Sequence, residues 1–215
     1  IDFAAFRSIA HSPGLLHVIL WEFDPHTKDR FYYESGKLIA NPPFSGARTV
    51  DFPEPIGRQT TYYVPHGESQ TLSKNIAGVQ RVYIRGCFPP RAMGLVKTLH
   101  DYGMYASAPV RFEGREIQPL EFIRHYLLNS AEGDQTDVWG YSVQVEVTGR
   151  LSGNRVLCRF VTCHPPMETW GGQRAYSKNV GIPLSVGAQM LAEGKAMKTG
   201  VDGAETMLPA EEFIN

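Results

Sequence analysis

The sequence predicts an α+β fold, a mostly antiparallel or mixed sheet with helices packed on one face. Three observations carry this. First, Trp139 to Thr148 and Arg155 to Thr162 flank a Gly149–Asn154 turn, and Tyr141, Val143, Val145 and Val147 alternate with Ser142, Gln144, Glu146 and Thr148, the pattern of an antiparallel pair with one face inside. Second, Arg91 to Tyr102 carries a helical stripe of Met93, Leu95, Val96 and Leu99 and is closed by Gly103. Third, the chain has no G-x-G-x-x-G after a strand and no G-x-x-x-x-G-K-[ST], so nothing marks a nucleotide cradle.

Taken in order, Phe3 to Ala10 reads as a short helix broken at Ser12-Pro13-Gly14. Leu15 to Phe23 is nearly all apolar and reads as a strand buried on both faces. Arg30 to Ile39 reads as a hairpin around Glu34-Ser35-Gly36-Lys37. Asn41 to Gly57, rich in Pro and Gly, reads as an irregular connection. Thr60 to Val64 is β-prone and stops at Pro65, which has no N–H to give a ladder. Glu68 to Ile76 follows as a helix-like segment ending at Ala77-Gly78. A strand then places Val82 and Ile84 on one face and Arg81, Tyr83 and Arg85 on the other.

Val110 to Ile117 reads as a second short hairpin with Glu113-Gly114 at its tip. Gln118-Pro119 opens a helix through Leu128, with Phe122, Ile123, Tyr126 and Leu127 as its buried face. His164 to Gly172 reads as a loop, and Pro183 to Glu193 as the last helix, stopped by Gly194 before a short tail. The sum is about six to eight strands and three or four helices.

Composition narrows the function classes. At 215 residues and 42% hydrophobic, the chain can bury a real core, as one large domain or a domain with an appendage. The net charge is −1 and both signs are dispersed, which argues against nucleic acid or a membrane surface as partner. No apolar run approaches the roughly 18–20 residues of a membrane span. Ile1-Asp2-Phe3 lacks a basic leader and an initiator Met, so processing or a larger parent polypeptide is expected. Cys87, Cys158 and Cys163 are odd in number without C-x-x-C spacing; reduced thiols in a cytoplasmic protein are expected, with no metal site. H-E-x-x-H and G-x-S-x-G are absent as well.

The stretch richest in chemistry runs from Thr60 to Pro90. His66-Gly67-Glu68 sits where a strand ends and a helix begins, and strand-end loops are where rigid scaffolds place binding groups. Here Tyr-Tyr-Val-Pro-His66-Gly-Glu68, Thr71-Leu72, then Val-Tyr-Ile-Arg85-Gly and Pro-Pro-Arg-Ala-Met-Gly-Leu-Val-Lys-Thr-Leu, resemble the saccharopine dehydrogenase family. Gly36-Lys37, Pro43-Phe44-Ser45-Gly46 and Val50-Asp51-Phe52-Pro53 upstream fit the same progression. So do Asn179-Val180-Gly181-Ile182-Pro183-Leu184-Ser185, Met190 to Gly194 and Gly200-Val201 downstream. The resemblance spans most of the chain from about Leu15 onward, in order. Two departures stand out: His66-Gly67-Glu68-Ser69 replaces the family's H-P-E-P, and Arg85-Gly86-Cys87-Phe88 lacks its R-Y-P-G-H form.

The resemblance implies the C-terminal substrate-binding and dimerisation domain of an NAD(P)-dependent amino-acid oxidoreductase acting on a C–N bond, with a glyceraldehyde-3-phosphate dehydrogenase-like C-terminal fold. Relatives include saccharopine, lysine and carboxynorspermidine dehydrogenases. It implies residues 1–178 as the substrate and dimerisation unit, and 179–215 as a helix and tail returning towards a nucleotide domain. NAD or NADP would be held mainly by that other domain, so this chain alone is expected to bind none and to be inactive. The expected partners are a small amino-acid-like substrate and a second copy of the chain. The same fold could instead serve as a non-catalytic binding module or a dimer scaffold.

Site roles follow from the resemblance and the chemistry together. Arg85 would hold a substrate carboxylate as a bidentate fork. His66 would take the ammonium proton before hydride leaves, its ordinary pKa of about 6.5 suiting a base. Glu68 would orient that imidazole or bind a substrate ammonium, and Tyr63 and Thr71 join as substrate contacts. Gly181 and Pro183, at a helix start, would face the cofactor edge with free N–H groups. Plainer readings stand beside these: His66 bonding only its own turn, Glu68 favouring a helix N-terminus, Arg85 in a solvated ion pair, and the aromatics Tyr63, Trp139 and Trp170 serving the core.

Overall fold

The computed structural model of the protein describes residues 1–6, 13–54, 56–129, 140–162 and 175–214. Its main sheet has six strands: β1 (Asp2–Phe6), β4 (Arg48–Asp51), β5 (Arg58–Tyr63), β7 (Arg85–Cys87), β10 (Gly140–Leu151) and β11 (Asn154–Val161), in the order β11-β10-β1-β7-β5-β4. β1 and β7 run parallel and the other neighbours antiparallel, so the sheet is mixed. A second sheet joins β2 (Phe31–Glu34), β3 (Lys37–Ala40) and β6 (Arg81–Val82), and β8 (Val110–Phe112) pairs with β9 (Arg115–Ile117) as a ribbon. The helices are α1 (Pro13–Glu22), α2 (Glu68–Asn75), α3 (Pro90–Asp101), α4 (Pro119–Asn129), α5 (Ala175–Ala192), α6 (Ala204–Met207) and α7 (Ala210–Ile214).

The sheet's two faces differ. Strand alternation places Phe3, Tyr62, Tyr141 and Val143 on one face, where they pack with Leu15, Leu16, Ile19 and Leu20 of α1, Val96 and Leu99 of α3, and Ile123 and Leu127 of α4. The other face carries Asp2, Thr61, Ser142 and Gln144, all buried, beside a small cluster of Ala4, Val50, Phe52, Ile56 and Cys87. Two hairpins close where the sequence predicts, at Ser35-Gly36 and Glu113-Gly114. The third is tighter than the expected Gly149–Asn154 turn, since β10 runs on to Leu151 and only Ser152-Gly153 reverse the chain. All six residues have positive φ, the geometry of two-residue turns that match strand twist.

Several expectations are corrected. Leu15 to Phe23 is helical, because an apolar run of this length fits either state; its period-3.6 reading puts Leu15, Leu16, Ile19, Leu20 and Phe23 inside and leaves Val18 and Trp21 at 36% and 37% exposure. Phe3 lies in a strand, not a helix, and what decides it is far away in sequence: Phe3 pairs with Val143 on one side and Gly86 on the other. The strand expected over Arg81 to Arg85 is split between the two sheets, although Val82 and Ile84 are both buried as expected. Asn41 to Gly57 contains β4. In α4, Phe122 and Tyr126 are 59% and 62% exposed and stack on each other, while Leu120, Ile123, Leu127 and Leu128 face the core; a helix apolar on most sides leaves periodicity without a choice. Trp139, Cys163, Trp170 and the segment His164 to Gly172 lie outside the described residues.

The C-terminal tail packs back on the domain. Asn75, at the end of α2, donates to Asp202 at 3.1 Å and to Glu205 at 2.8 Å, and Lys74 lies 3.6 Å from Asp202. Among the described residues no helix is long and apolar enough to cross a membrane.

Candidate functional site

β5 ends at Tyr63, and Pro65 ends its ladder, so the chain turns out of the sheet at His66 and enters α2 through Gly67. This turn meets the end of α1. The His66 imidazole Nε2 lies 3.0 Å from Glu22 Oε1, and Nδ1 faces Glu68 Oε2 at 3.7 Å. The Phe3 ring stacks on the imidazole, centroids 5.3 Å apart and planes 28° apart. Gly86 makes room for that ring: a Cβ there would come within 2.1 Å of Phe3.

Burial alone would lower the His66 pKa, but its hydrogen bond to Glu22 and the nearby Glu68 carboxylate more than reverse this and raise it to about 10. Burial pushes Glu22 up, against the pull of His66, while the imidazole pulls the Glu68 carboxyl down. Glu68, facing the second ring nitrogen, adds to the pull of Glu22 on the imidazole. His66 is thus not the freely placed imidazole the sequence suggests: two carboxylates face its ring nitrogens and favour its protonated form. Sequence reasoning missed Glu22, although once α1 is read as a helix, Leu15, Ile19 and Glu22 fall on one inward stripe.

Arg30 locks the same corner from behind. It is buried and donates from NH1 to the Glu22 carbonyl and from NH2 to the Tyr63 carbonyl at 2.9 Å, tying the end of α1 to the end of β5. Burial lowers its pKa to about 10, against the attraction of Glu22 and Asp24.

Arg85 and Tyr63 form a separate cluster on the opposite sheet face. Arg85 Nε donates to the Gly46 carbonyl at 2.8 Å and NH2 to the Tyr63 hydroxyl at 3.1 Å, and its guanidinium lies over the Tyr63 and Tyr83 rings at 4.5 and 5.0 Å. NH1 is 4.0 Å from Asp2. Tyr63 also stacks on Tyr32, and the Tyr83 hydroxyl donates to Glu34 at 2.7 Å. Nearby, Arg48 bridges Asp2 at 3.2 Å and Glu146 at 2.5 Å, and Thr61 donates to Asp2. Arg85 is thus not an open fork, and no hydrogen bond or ion pair joins it to His66. Thr71 lies one turn beyond Glu68 on α2, half-buried.

Gly181 and Pro183 are also relocated. Both lie inside α5, several residues past its start, so the helix N-terminus expected to face a cofactor is not at this position. Inside a helix they offer no free N–H groups to a nicotinamide cofactor's phosphates. An open groove of 310 Å³ lined by Phe44, Tyr62, Phe88, Met93 and Lys97, among others, contains neither His66 nor Arg85. Among the described residues no cluster of three or more His, Cys, Asp or Glu is placed to hold a metal ion.

The mixed-sheet α+β domain thus carries a carboxylate-flanked imidazole at a strand–helix junction. The model of the saccharopine dehydrogenase C-terminal domain matches residues 26–215, and the chain belongs to that family. It is also similar to carboxyaminopropylagmatine dehydrogenase of Synechocystis sp., 26% identical over 184 residues, which is 83% of this chain and 45% of that protein. The chain therefore spans about half the length of the curated relative it matches.

Proposed function

We propose that this chain is the substrate-binding domain of an NAD(P)-dependent dehydrogenase acting on the C–N bond of an amino-carboxylate compound, with the substrate seated at His66 and Glu68. The observation that carries this reading is the His66 imidazole fixed between Glu22 and Glu68 where β5 passes into α2, in a chain of this family. The relative's name joins a carboxyaminopropyl group to agmatine, which supports a substrate with both an anionic and a cationic end. The imidazolium would bind the anion and Glu68 the cation; Thr71 would border the seat. The nicotinamide cofactor, NAD or NADP, would be held by a domain outside this chain, in a glyceraldehyde-3-phosphate dehydrogenase-like arrangement with residues 179–215 returning towards it. When bound, the cofactor would supply the hydride acceptor, and these residues would hold and orient the substrate. In this reading the 215-residue chain alone does not turn over, and the protein works in the cytoplasm.

A second role, as a dimer scaffold, is favoured by one feature. β11 is an edge strand, and the hairpin it forms with β10 leaves Val147, Leu151, Leu157, Phe160 and Val161 exposed. By register Val147, Leu151 and Phe160 share one face of the hairpin, and pairing with a second copy would cover it. The functional reading is tested by mixing the full-length protein with NAD or NADP and carboxyaminopropylagmatine or saccharopine and following reduced cofactor. Turnover by the full-length protein and none by the 215-residue chain is expected. Absence of turnover from both with every pairing contradicts it.

A further inference from the structure

We propose that the His66 imidazolium, oriented by the buried Glu22 carboxylate, is the cationic seat for a substrate carboxylate, and that Glu68 occupies this seat until substrate displaces it. The inference deepens the reading of this corner as the substrate site and rests on it. It starts from ring chemistry. A neutral imidazole has one N–H and one lone pair, so a ring that faces an ionised carboxylate at each nitrogen avoids a lone-pair clash only when both nitrogens carry protons. His66 is in that position, with Glu22 at 3.0 Å and Glu68 at 3.7 Å.

The two carboxylates are not equivalent. The Glu22 side chain is 2% exposed, its Oε2 has no hydrogen-bond partner, and it sits at the end of a helix that Arg30 ties to β5. It cannot turn to water. Glu68 is 47% exposed, and 3.7 Å is longer than a hydrogen bond, so leaving Nδ1 costs it little. Phe3 covers one face of the ring, and of the two carboxylates beside it only Glu68 is exposed. An incoming carboxylate would thus take Nδ1, and the displaced Glu68 would remain close enough to accept a substrate ammonium. The fit is to an α-amino carboxylate.

Arg85 does not compete for the role. Its side chain is 11% exposed, bonded to Gly46 and Tyr63 and held against two tyrosine rings on the other sheet face. The charged groups around His66 are Glu22 and Glu68, with Arg30 behind Glu22 and the Ile1 amine beyond Glu68. Glu22 is thus a positioning residue: it touches no substrate and acts through the imidazole.

The test follows the His66 ring nitrogens by nitrogen-15 NMR in the purified protein, with the signal assigned by His66→Gln. Both nitrogens are expected to stay protonated from pH 6 to 8.5 in the wild type, with a midpoint near 10. Glu22→Gln should bring that midpoint down towards the ordinary value of about 6.5, and Glu22→Asp should restore part of it. L-glutamate, as the probe, should shift Nδ1 and leave Nε2 in place, with binding weakened at least 10-fold in Glu22→Gln at pH 8. A wild-type midpoint near 6.5 overturns the inference even if the variant does not fold, and so does a probe that leaves His66 unmoved. Because the titration needs no turnover, its failure is separable from failure of the substrate reading, which rests on kinetics.

Discussion

Glu22 and His66, far apart in the sequence, meet at 3.0 Å where the end of α1 abuts the turn after β5. The pair ties stability to pH. The folded His66 pKa is raised to about 10, above its unfolded value of about 6.5, so its contribution is fully present below pH 6.5 and is lost as pH rises through 10. The raised Glu22 carboxyl acts in the same direction. Thermal melts of the wild type should therefore fall in Tm from pH 7 to 9.5, and Glu22→Gln should flatten that slope. Parallel slopes for the two proteins would rule the pair out as the cause.

Gly86 and Phe3 make a second close relationship. A Cβ at Gly86 would lie 2.1 Å from the Phe3 ring, which is buried against His66 and Tyr141 and has no room to retreat. Gly86→Ala should cost about 1–3 kcal/mol, the usual range for overpacking. Gly94 is the control: it lies on the exposed side of α3 with nothing within 4 Å of an added Cβ, so Gly94→Ala should stabilise by about 0.5–1 kcal/mol. Urea unfolding of both variants reads the contrast.

Arg30 should be among the costliest polar positions to truncate. Arg30→Ala leaves the Glu22 and Tyr63 carbonyls without their donor and should lose about 3 kcal/mol. Arg30→Lys should recover only part, since one ammonium does not reproduce a fork. Equal stability of wild type and Arg30→Ala in denaturant unfolding would contradict this.

The cysteines should react unequally. Burial, with the Asp2 charge adding to it, raises the Cys87 thiol to about 12, whereas Cys158 is exposed. Iodoacetamide at pH 8, read by peptide mass spectrometry, should label Cys158 at least 10-fold faster than Cys87, and urea should abolish the difference. Rapid native labelling of Cys87 would show that its surroundings open.

Much of the fold was legible in the sequence where signals were local. The turns at Ser35-Gly36 and Glu113-Gly114, the α3 stripe and the strand end at Pro65 are written in neighbouring residues, and the structure has them there. What failed depended on partners far away. Phe3 is in a strand because β7 and β10 flank it, and α1 is a helix although its apolar run fits a strand equally well. The site shows the same divide. His66 and Glu68 were legible as a pair at a strand–helix junction, but Glu22 and Arg30 were not, because each meets the turn only after the chain has folded back. Arg85 was found as a residue and misjudged as an open fork, since Tyr63 and Gly46 already hold it.

The most direct measurement compares how the wild-type full-length protein and its His66→Gln variant, in the proposed dehydrogenase reaction, saturate with carboxyaminopropylagmatine at pH 7.5. A cationic seat for the substrate carboxylate predicts that the variant needs about 30-fold more substrate to reach half its maximal rate, the loss of one charge-assisted hydrogen bond, with a smaller effect on kcat. Unchanged saturation would contradict substrate binding at His66 and leave this corner of the domain a structural tie between α1, β5 and α2.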